Sequence, residues 1–519
     1  MPSKLTPCQP KPLLARVDAN LMRSALPPST SLLPQFHVVG FTGHRQLANW
    51  DKARACIAET LAALRHEAPG EWIGVSSAAA GSDLVFAQTV LGAGQAWQAI
   101  LPLAAAEFQK DFDPREWQEA EALLARAETV KVMATGGVRE EAYLDCGIET
   151  VNTCDVLLSL WDGEPARGRG GTAEVVAYAR ELGRPLIVID PETGSVRREN
   201  FEHFKPRDAE LDFLNALPET GAPATGEPGD VRERVERFQH KADLAASRGA
   251  PQFRLLTVST VLLHVAATLI ATAGLAFEWH PVVLPWAKLL CVLGALGAAL
   301  AIRHFRAQHT WVRCRLAAEI GRAALATWGM PRRTALFQDL DLPEIRQLVR
   351  SLHILHGRGA PEKRANLDTF RQNYRARRID DQLAYYRRRL NRAAPQLWRL
   401  RMGFVVSTVL AIICTAFYAV HHTFHLQPLP PVAEAVGFYF LPIALPVIAA
   451  AFMSLISIND LHRRVARYRE MCHLLEAAHK QIVVTHTWHS LEHLVRHTER
   501  ALLQEVLEWH TLMSHLESH

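Results

Sequence analysis

The sequence predicts an α/β fold in its amino-terminal half, a Rossmann-like parallel sheet, followed by an all-α membrane region with four transmembrane helices in two hairpins. From Gln35 to Asp190, short β-branched runs alternate with helical stretches, which is typical of parallel strands joined by crossover helices. Further along, the apolar segments Leu255–Ile302 and Met402–Ile458 are each long enough to cross a bilayer twice. Together these patterns indicate a ligand-binding half joined to a membrane half.

Length and composition limit the classes of protein to which the chain can belong. Its 519 residues correspond to about three domains. A content of 49% apolar and 21% charged residues excludes a disordered chain, and a net charge of +4 gives no indication of nucleic acid as a partner. The eight cysteines have no paired spacing, which indicates a reduced, cytosol-facing protein. Residues 1–35 contain no continuous apolar run, so no cleavable signal is expected.

The elements of the amino-terminal half follow from the periodicity of apolar residues. The expected strands are Phe36–Phe41, Trp72–Ser76, Ala99–Leu101, Val130–Met133, Val156–Trp161 and Pro185–Ile189. The expected helices are Asp51–His66, Leu84–Leu91, Trp117–Ala127, Tyr143–Thr150 and Ala173–Leu182. We divide the whole chain into a tail (1–34), a nucleotide-ligand domain (35–195), a linker and helix (196–250), a first hairpin with a cytosolic helix (251–330), a basic helical segment (331–400), and a second hairpin with a carboxyl-terminal helix (401–519). A flexible joint rich in Pro, Gly, Ala and Thr is expected at Asn215–Gly229.

Four apolar runs are expected to cross the membrane. They are Leu255–Phe277, Val282–Ile302, Met402–Val420 and Ala435–Ile458, and the second hairpin repeats the arrangement of the first. Lys288 is the one charged residue in the second run, and its stem is long enough to carry the ammonium to the interface. Buried helices of a large soluble core are the alternative.

Arginines mark the cytoplasmic ends of these runs. They are Arg248 and Arg254, Arg303 and Arg306, Arg399 and Arg401, and Arg463, Arg464 and Arg467, whereas neither connecting turn contains Lys or Arg. Since positive residues stay on the cytoplasmic side, we expect a multi-pass protein of the inner (cytoplasmic) membrane, with both termini and the large domains in the cytoplasm. The dense basic segment Lys363–Arg401 is expected to contact anionic lipid, with nucleic acid as the alternative.

A polar stripe follows one face of the first span. Its members are Thr257, Thr260, His264, Thr268 and Thr272. In the third span Gly403, Ser407, Ala411 and Thr415 form a face of small residues. Either stripe can line a water-filled path, and either can instead serve as a packing surface between helices.

Three loops are candidates for a ligand site, because each follows an expected strand of the parallel sheet. The candidate residues are Gly40, Thr42, Gly43 and Arg45 in the first loop, Gly81, Ser82 and Asp83 in the second, and Gly170, Gly171, Thr172 and Glu174 in the third. Ligands of such sheets bind at the carboxyl ends of the strands, where glycines and helix N-termini accommodate phosphate. Each loop alone is typical of a turn, but the three together predict a nucleotide-like ligand.

Family resemblances follow from these motifs. Between Gly40 and Asp190, the segments GFTGHR, GSD and CDVLLSLWDGEPARGRGGTAE resemble the SLOG superfamily, the Rossmann-like group that contains the SMF/DprA and LOG proteins. The helix containing Asp380–Arg387 and the later Arg467-Tyr468-Arg469 resemble SLATT domains, which accompany SLOG domains. The resemblance implies a homo-oligomeric effector of a bacterial antiviral or conflict system. In such a protein a SLOG-like domain senses a nucleotide-derived signal, and the transmembrane helices form a pore or disrupt the membrane.

The third loop departs from the pattern of the enzymatic LOG members. Those enzymes have two residues between the glycine–threonine pair and the catalytic glutamate, whereas here Ala173 alone separates Thr172 from Glu174. The carboxylate is therefore turned by about 100° around the helix. Three roles stay open for Glu174: a ribose contact, stabilisation of a helix N-terminus, and catalysis in a membrane-tethered nucleotide N-glycosidic hydrolase. We expect binding rather than catalysis, with a nucleotide-derived ligand and no other cofactor.

Four histidines on the last helix have a spacing that metal ligands use. His486, His489, His493 and His497 lie on one face. The apolar stripe of the same helix, Leu491, Val495, Leu502, Val506 and Trp509, points nearly opposite. The histidines are therefore expected to be solvated, and no metal site is predicted.

Overall fold

The computed structural model describes residues 32–134, 138–165, 169–218, 230–279, 281–305, 307–330, 343–359, 366–425 and 427–515. The chain divides into two compact units. Unit 1 comprises Met1–Phe213 with Glu344–Ser351, and unit 2 comprises Leu214–Pro343 with Leu352–His519. Most of the expected tail (1–34) and of the expected joint Asn215–Gly229 lie outside the described residues.

Unit 1 is built on a seven-stranded sheet. Its strands are β1 (Phe36–Gly43), β2 (Glu71–Ser76), β3 (Ala96–Leu103), β4 (Thr129–Ala134), β5 (Val156–Leu160), β6 (Leu186–Ile189) and β7 (Val196–Glu199). They lie in the order β4-β3-β2-β1-β5-β6-β7. Every pairing is parallel except that of β6 with β7. The predicted α/β class and all six predicted strands are confirmed.

Helices lie between most of these strands, and the last helix follows β7. They are α1 (Trp50–Glu67), α2 (Ser82–Gly92), α3 (Ala105–Phe108), α4 (Pro114–Leu124), α5 (Arg139–Thr153), α6 (Thr172–Glu181) and α7 (Ala209–Asn215), with 3₁₀ turns at Gln109–Asp111 and Phe201–His203. The apolar runs of β1, β5 and β6 are almost wholly buried, as expected for strands covered on both faces. The strand β7 was not predicted, because its sequence Val-Arg-Arg-Glu is charged and exposed. It extends the sheet past residue 195.

A distant segment of the chain also belongs to unit 1. Within Glu344–Ser351, Arg350 donates from Nη1 to the carbonyl of Phe36 at 3.2 Å and pairs with Asp155. The same Asp155 carboxylate accepts the amide of Val38 at 2.9 Å. Arg350 therefore ties this segment to the amino-terminal ends of β1 and β5.

Unit 2 is helical. Its helices are α8 (Val231–Ala276), α9 (Val283–Phe305), α10 (Ala307–Ala326), α12 (Leu367–Tyr374), α13 (Asp381–Thr423), α14 (Pro431–Glu434), α15 (Leu441–Ile458), α16 (Leu461–Val483) and α17 (Trp488–His515), and α11 (Arg346–Arg358) begins in unit 1. A 3₁₀ turn lies at Pro343–Ile345, and π turns lie at Arg375–Asp380 and Ala435–Phe440. Through the first π turn, α12 and α13 form one helical stretch of 57 residues.

Four helical stretches of unit 2 are long and apolar enough to cross a membrane. They are Leu255–Ala276, Val283–Ile302, Leu367–Thr423 and Pro431–Ile458. In the first three, only 11% of the apolar window is buried within the chain, so these helices are not the core of a soluble domain. The predicted membrane region of four helices is confirmed in helix length and apolar composition. The first and third spans continue helices that start well before the apolar run, and Pro395 lies inside α13.

The remaining helical segments of unit 2 enclose a buried ionic network. Glu499, which is fully buried, accepts from Nε and Nη2 of Arg378 at 2.8 and 2.6 Å and from the hydroxyl of Tyr374 at 2.8 Å. Arg378 lies in the π turn and is 2% exposed, and its Nη1 is 3.8 Å from the carboxylate of Glu319. Glu319 in turn pairs with Arg315 at 2.8 Å. The network therefore joins α10, the π turn and α17.

Candidate functional site

The three predicted loops lie at the carboxyl edge of the sheet in unit 1. Strand β1 lies between β2 and β5, and the chain order reverses there because β2 to β4 extend to one side while β5 and β6 extend to the other. Ligands of open α/β sheets bind outside the strand ends at such a reversal. The loops that follow β1, β2 and β5 therefore converge where a ligand is expected.

Two glycines are required by the geometry of these loops. Gly81 has a φ of 103°, and a Cβ there would be 2.4 Å from the backbone oxygen of Arg45. Gly170 has a φ of 75°, and a Cβ there would be 2.6 Å from the backbone nitrogen of Leu144. Only glycine adopts these conformations without strain. The amide of Ser82 donates to the carbonyl of His44 at 3.2 Å, which joins the first loop to the second.

Ser82 and Asp83 place buried polar atoms at the start of α2. Ser82 is 1% exposed and Asp83 is 9% exposed. Within the described part of the chain, Ser82 Oγ and Asp83 Oδ1 have no hydrogen-bond partner. Burial raises the pKa of the Asp83 carboxyl well above its usual range, and the nearby Arg45 guanidinium opposes this shift. Buried polar atoms without hydrogen-bond partners reduce stability.

The variant Asp83→Asn is expected to raise the thermal unfolding temperature of the detergent-solubilised full chain at pH 7.5. Because the folded-state pKa of Asp83 is raised, its contribution to stability is fully present below the unfolded value near 3.8 and is lost as pH rises through the folded pKa. Asparagine cannot ionise, so the difference from wild type is expected to shrink as pH falls toward 4. Asp51→Asn, at an exposed carboxylate of α1, is the matched control. A lower unfolding temperature for Asp83→Asn at pH 7.5 would contradict this expectation.

The third loop is capped by its own glutamate. Glu174, in the first turn of α6, accepts the amide of Gly170 at 2.5 Å, and its other oxygen is 3.8 Å from Nη1 of Arg169. Arg169 Nε is also 3.2 Å from the Glu141 carboxylate. A carboxylate at a helix N-terminus is favourable without any ligand. Glu174 thus already satisfies the amide of Gly170 in this loop.

Four residues at this edge were not among the predicted site residues. His44 Nε2 lies 3.2 Å from the backbone nitrogen of Asp162 and 3.0 Å from its carboxylate, and these contacts bridge the ends of β1 and β5. The Arg45 guanidinium lies 5.4 Å from the ring centroid of Tyr143, whose hydroxyl donates to Asp111. Burial raises the pKa of Tyr143, so the ring stays neutral. One indication of the contact between His44 and Asp162 was present in the sequence, because both residues follow the ends of strands that were expected to be parallel.

The predicted site residues divide into two groups. Gly40, Thr42 and Gly43 were expected in a loop, but β1 extends to Gly43 and all three lie within the strand. At its end the first two segments meet, since Gly81 lies against Arg45 and an added Cβ at Gly43 would be 2.4 Å from Ser82 Oγ. The third loop, with Gly170 to Glu174, lies at the same edge after β5 but contacts α5. The arrangement offers an exposed guanidinium, two helix N-termini and unpaired buried oxygens. Such groups bind phosphate and hydroxyl groups of a ligand.

The four histidines that were predicted to lie on the last helix are exposed, whereas Leu491, Val495, Leu502 and Val506 of the opposite stripe are buried. The histidine His486 precedes α17, which begins at Trp488. Within the residues that the structure describes, no group of three or more His, Cys, Asp or Glu side chains is arranged to hold a metal ion. The histidine row is accordingly a solvated surface.

The polar stripe of the first span lies on α8. The hydroxyls of Thr260, Thr268 and Thr272 donate to the carbonyls four residues earlier, at 2.9–3.0 Å. His264 and Thr268 are exposed, whereas Thr272 is buried. Self-bonded threonines are tolerated in lipid, but an exposed histidine within a bilayer core is costly. His264 therefore requires a contact with another protein surface or with water, which the described part of the chain does not provide.

Part of the chain matches a known protein family. Residues 374–509 match the family described as SMODS and SLOG-associating 2TM effector domain 1. The match includes the first π turn, α13, α15, α16 and most of α17, so the expected SLATT domain is confirmed over the second hairpin. Among curated proteins the search finds no match to the chain. The resemblance of the α/β unit to SLOG domains stays a prediction.

Proposed function

We propose that this protein, whose residues 374–509 form a two-transmembrane effector domain, is a ligand-gated membrane effector of a bacterial antiviral or conflict system. Unit 1 acts as a SLOG-like sensor of a nucleotide-derived signal, and several copies together open a path through the membrane. The observation that carries the proposal is the combination, in one chain, of this effector domain with an α/β unit that has a polar carboxyl edge at its strand reversal.

The carboxyl edge of unit 1 supports recognition of an anionic nucleotide. Arg45 is exposed and can form charge-assisted hydrogen bonds with phosphate, while Ser82 and Asp83 suit a sugar hydroxyl. In this proposal an incoming phosphate displaces the Glu174 carboxylate from the amide of Gly170. That contact also favours binding over N-glycosidic hydrolysis, since a carboxylate already held by an amide and an arginine is poorly placed to activate water.

The stripe on α8 supports assembly of several copies. Association that brings the faces of Thr257, His264 and Thr268 together would shield the histidine from lipid and surround a polar path. The signal must bind the open assembly more tightly than the closed one. A shift from 1% to 99% open takes about 5.5 kcal/mol of differential affinity, which several linked sites can share.

An inner-membrane location with cytoplasmic termini is part of the proposal. Arg388, Arg392, Arg399 and Arg401 are exposed along α13 before its apolar run, where they suit the anionic cytoplasmic leaflet. Other arginines of the same segment are engaged within the protein, as Arg378 is with Glu499. The segment is therefore proposed to be in part a lipid-contacting surface and in part a structural element.

Dye release from liposomes tests this function. Full-length protein in liposomes is expected to release trapped dye on addition of a mixture of nucleoside monophosphates, nucleoside triphosphates and NAD. For Arg45→Ala, the nucleotide concentration for half-maximal release is expected to rise by about tenfold or more, because a hydrogen bond to a charged group contributes about 1.5–3 kcal/mol. Arg54→Ala, an exposed arginine of α1, is the matched control and should behave as wild type.

Two outcomes would count against the proposal. Folded, membrane-inserted protein that releases no dye with any component of the mixture would contradict gating by these nucleotides. Release of a free nucleobase, lost in Glu174→Gln, would assign the hydrolase activity instead.

A further inference from the structure

A groove that opens outward runs along the second hairpin, between α13 and α15. Its volume is about 740 Å³, and five alanines keep it wide: Ala411, Ala416 and Ala419 on α13, and Ala449 and Ala450 on α15. Pro446, inside α15, also lines it. The groove lies within the membrane-spanning part of the hairpin.

The hydroxyl groups that line this groove are already hydrogen-bonded within α13, so an occupant need not be polar. The hydroxyl of Thr408 donates to the carbonyl of Phe404 and that of Thr415 to the carbonyl of Ala411, both at 2.8 Å. Both threonines therefore present mainly their methyl groups. In the hydrocarbon core, an apolar groove open to the bilayer is filled by apolar chains rather than by water.

A cation lies on the same helical face, one turn toward the cytosolic end. Phe404, Thr408, Ala411 and Thr415 recur at steps of three or four residues, and Arg401 continues that series. Arg401 is exposed and has no ion pair within the described part of the chain. Trp398, three residues earlier, is 64% exposed, as expected for an aromatic ring at the headgroup level. Arg399 is turned by about 200° from Arg401, so it points away from the groove.

We propose that this groove is a binding site for an anionic phospholipid. One acyl chain lies along α13 from Phe404 toward Ala419, and the phosphate pairs with the Arg401 guanidinium beside Trp398. The guanidinium suits phosphate because it donates two parallel hydrogen bonds. The inference rests on the membrane insertion in the proposed function and is independent of nucleotide sensing.

Native mass spectrometry of the full chain in a neutral detergent tests this site, with phosphatidylglycerol and phosphatidylcholine added separately and no nucleotide present. Wild type is expected to retain phosphatidylglycerol in preference to phosphatidylcholine. Arg401→Gln is expected to weaken phosphatidylglycerol binding by about fivefold, the contribution of one cation near an anionic surface. Arg399→Gln removes the same charge two residues away and should bind as wild type does.

A second pair of variants tests the acyl-chain part of the site. Ala416→Phe places a ring in the groove and is expected to abolish retention of phosphatidylglycerol, whereas Leu410→Phe, at an exposed position outside the lining, should not. Equal losses in Arg401→Gln and Arg399→Gln would overturn the proposal. Unchanged retention of phosphatidylglycerol in Ala416→Phe would also overturn it. A change of oligomer mass in that variant, without loss of lipid, would mean that the groove holds a second copy of the chain. None of these results depends on whether nucleotides trigger dye release.

Discussion

Replacing Glu499 by alanine is expected to lower the free energy of unfolding of the helical unit by about 3–5 kcal/mol. Glu499 is fully buried and accepts three hydrogen bonds, two from Arg378 and one from Tyr374. Without it, the buried Arg378 guanidinium retains only the carboxylate of Glu319, at 3.8 Å, within the described network. A buried charge that loses its partner costs far more than the pair contributed. Denaturant unfolding of the detergent-solubilised chain, followed by tryptophan fluorescence, measures the change.

The matched control is an exposed ion pair of the same unit. Arg387 Nη2 lies 2.7 Å from the Glu476 carboxylate, and both side chains are solvent-accessible. Glu476→Ala is therefore expected to cost less than about 1 kcal/mol. The double variant Arg378→Met with Glu499→Leu is expected to recover most of the loss, because it removes both buried charges. Equal costs for Glu499→Ala and Glu476→Ala would show that burial of the network does not matter for stability.

Thr268→Leu is expected to reduce ligand-triggered dye release to the level of protein-free liposomes, if the stripe of α8 lines the proposed path. Thr268 is exposed one turn from His264, so leucine there adds an apolar constriction to the polar face. Apolar constrictions block conduction by excluding water. The measurement is the rate of dye release at saturating nucleotide, together with oligomer mass, which should stay unchanged.

A change of similar size on the other side of α8 separates a conduction defect from a folding defect. Ala266 lies about 160° from Thr268 around the helix, and Ala266→Leu should release dye as wild type does. Full release by Thr268→Leu would show that the stripe packs between helices and does not line a path.

Much of the fold could be predicted from local pattern. The β-branched runs identified six parallel strands, because buried strands are nearly continuous apolar runs. Likewise, the apolar runs identified the four spans. The basic helix before the third span was expected, but its unbroken continuation past Pro395 into the span was not predicted, since proline is unfavourable inside a helix. Charge concealed β7 at the sheet edge.

Long-range contacts limited how much of the candidate site could be predicted from the sequence. Glycine-rich loops at strand ends could be recognised, because strand topology alone brings them to one edge. The pairing of His44 with Asp162 could not, since it depends on β1 and β5 being neighbours in the sheet. The contact of Arg350 with Asp155 joins residues far apart in sequence, and no local pattern indicates it.

Pro395 has a mechanical consequence for α13. Proline cannot donate to the carbonyl four residues earlier, so the helix is easier to bend at that turn. Spans adjust their tilt to bilayers of different thickness. A compliant turn seven residues before Met402 absorbs such tilting before it strains the pairing of Arg378 with Glu499. We therefore expect changes in bilayer thickness to bend α13 at Pro395 with little effect on the helices that hold Glu499.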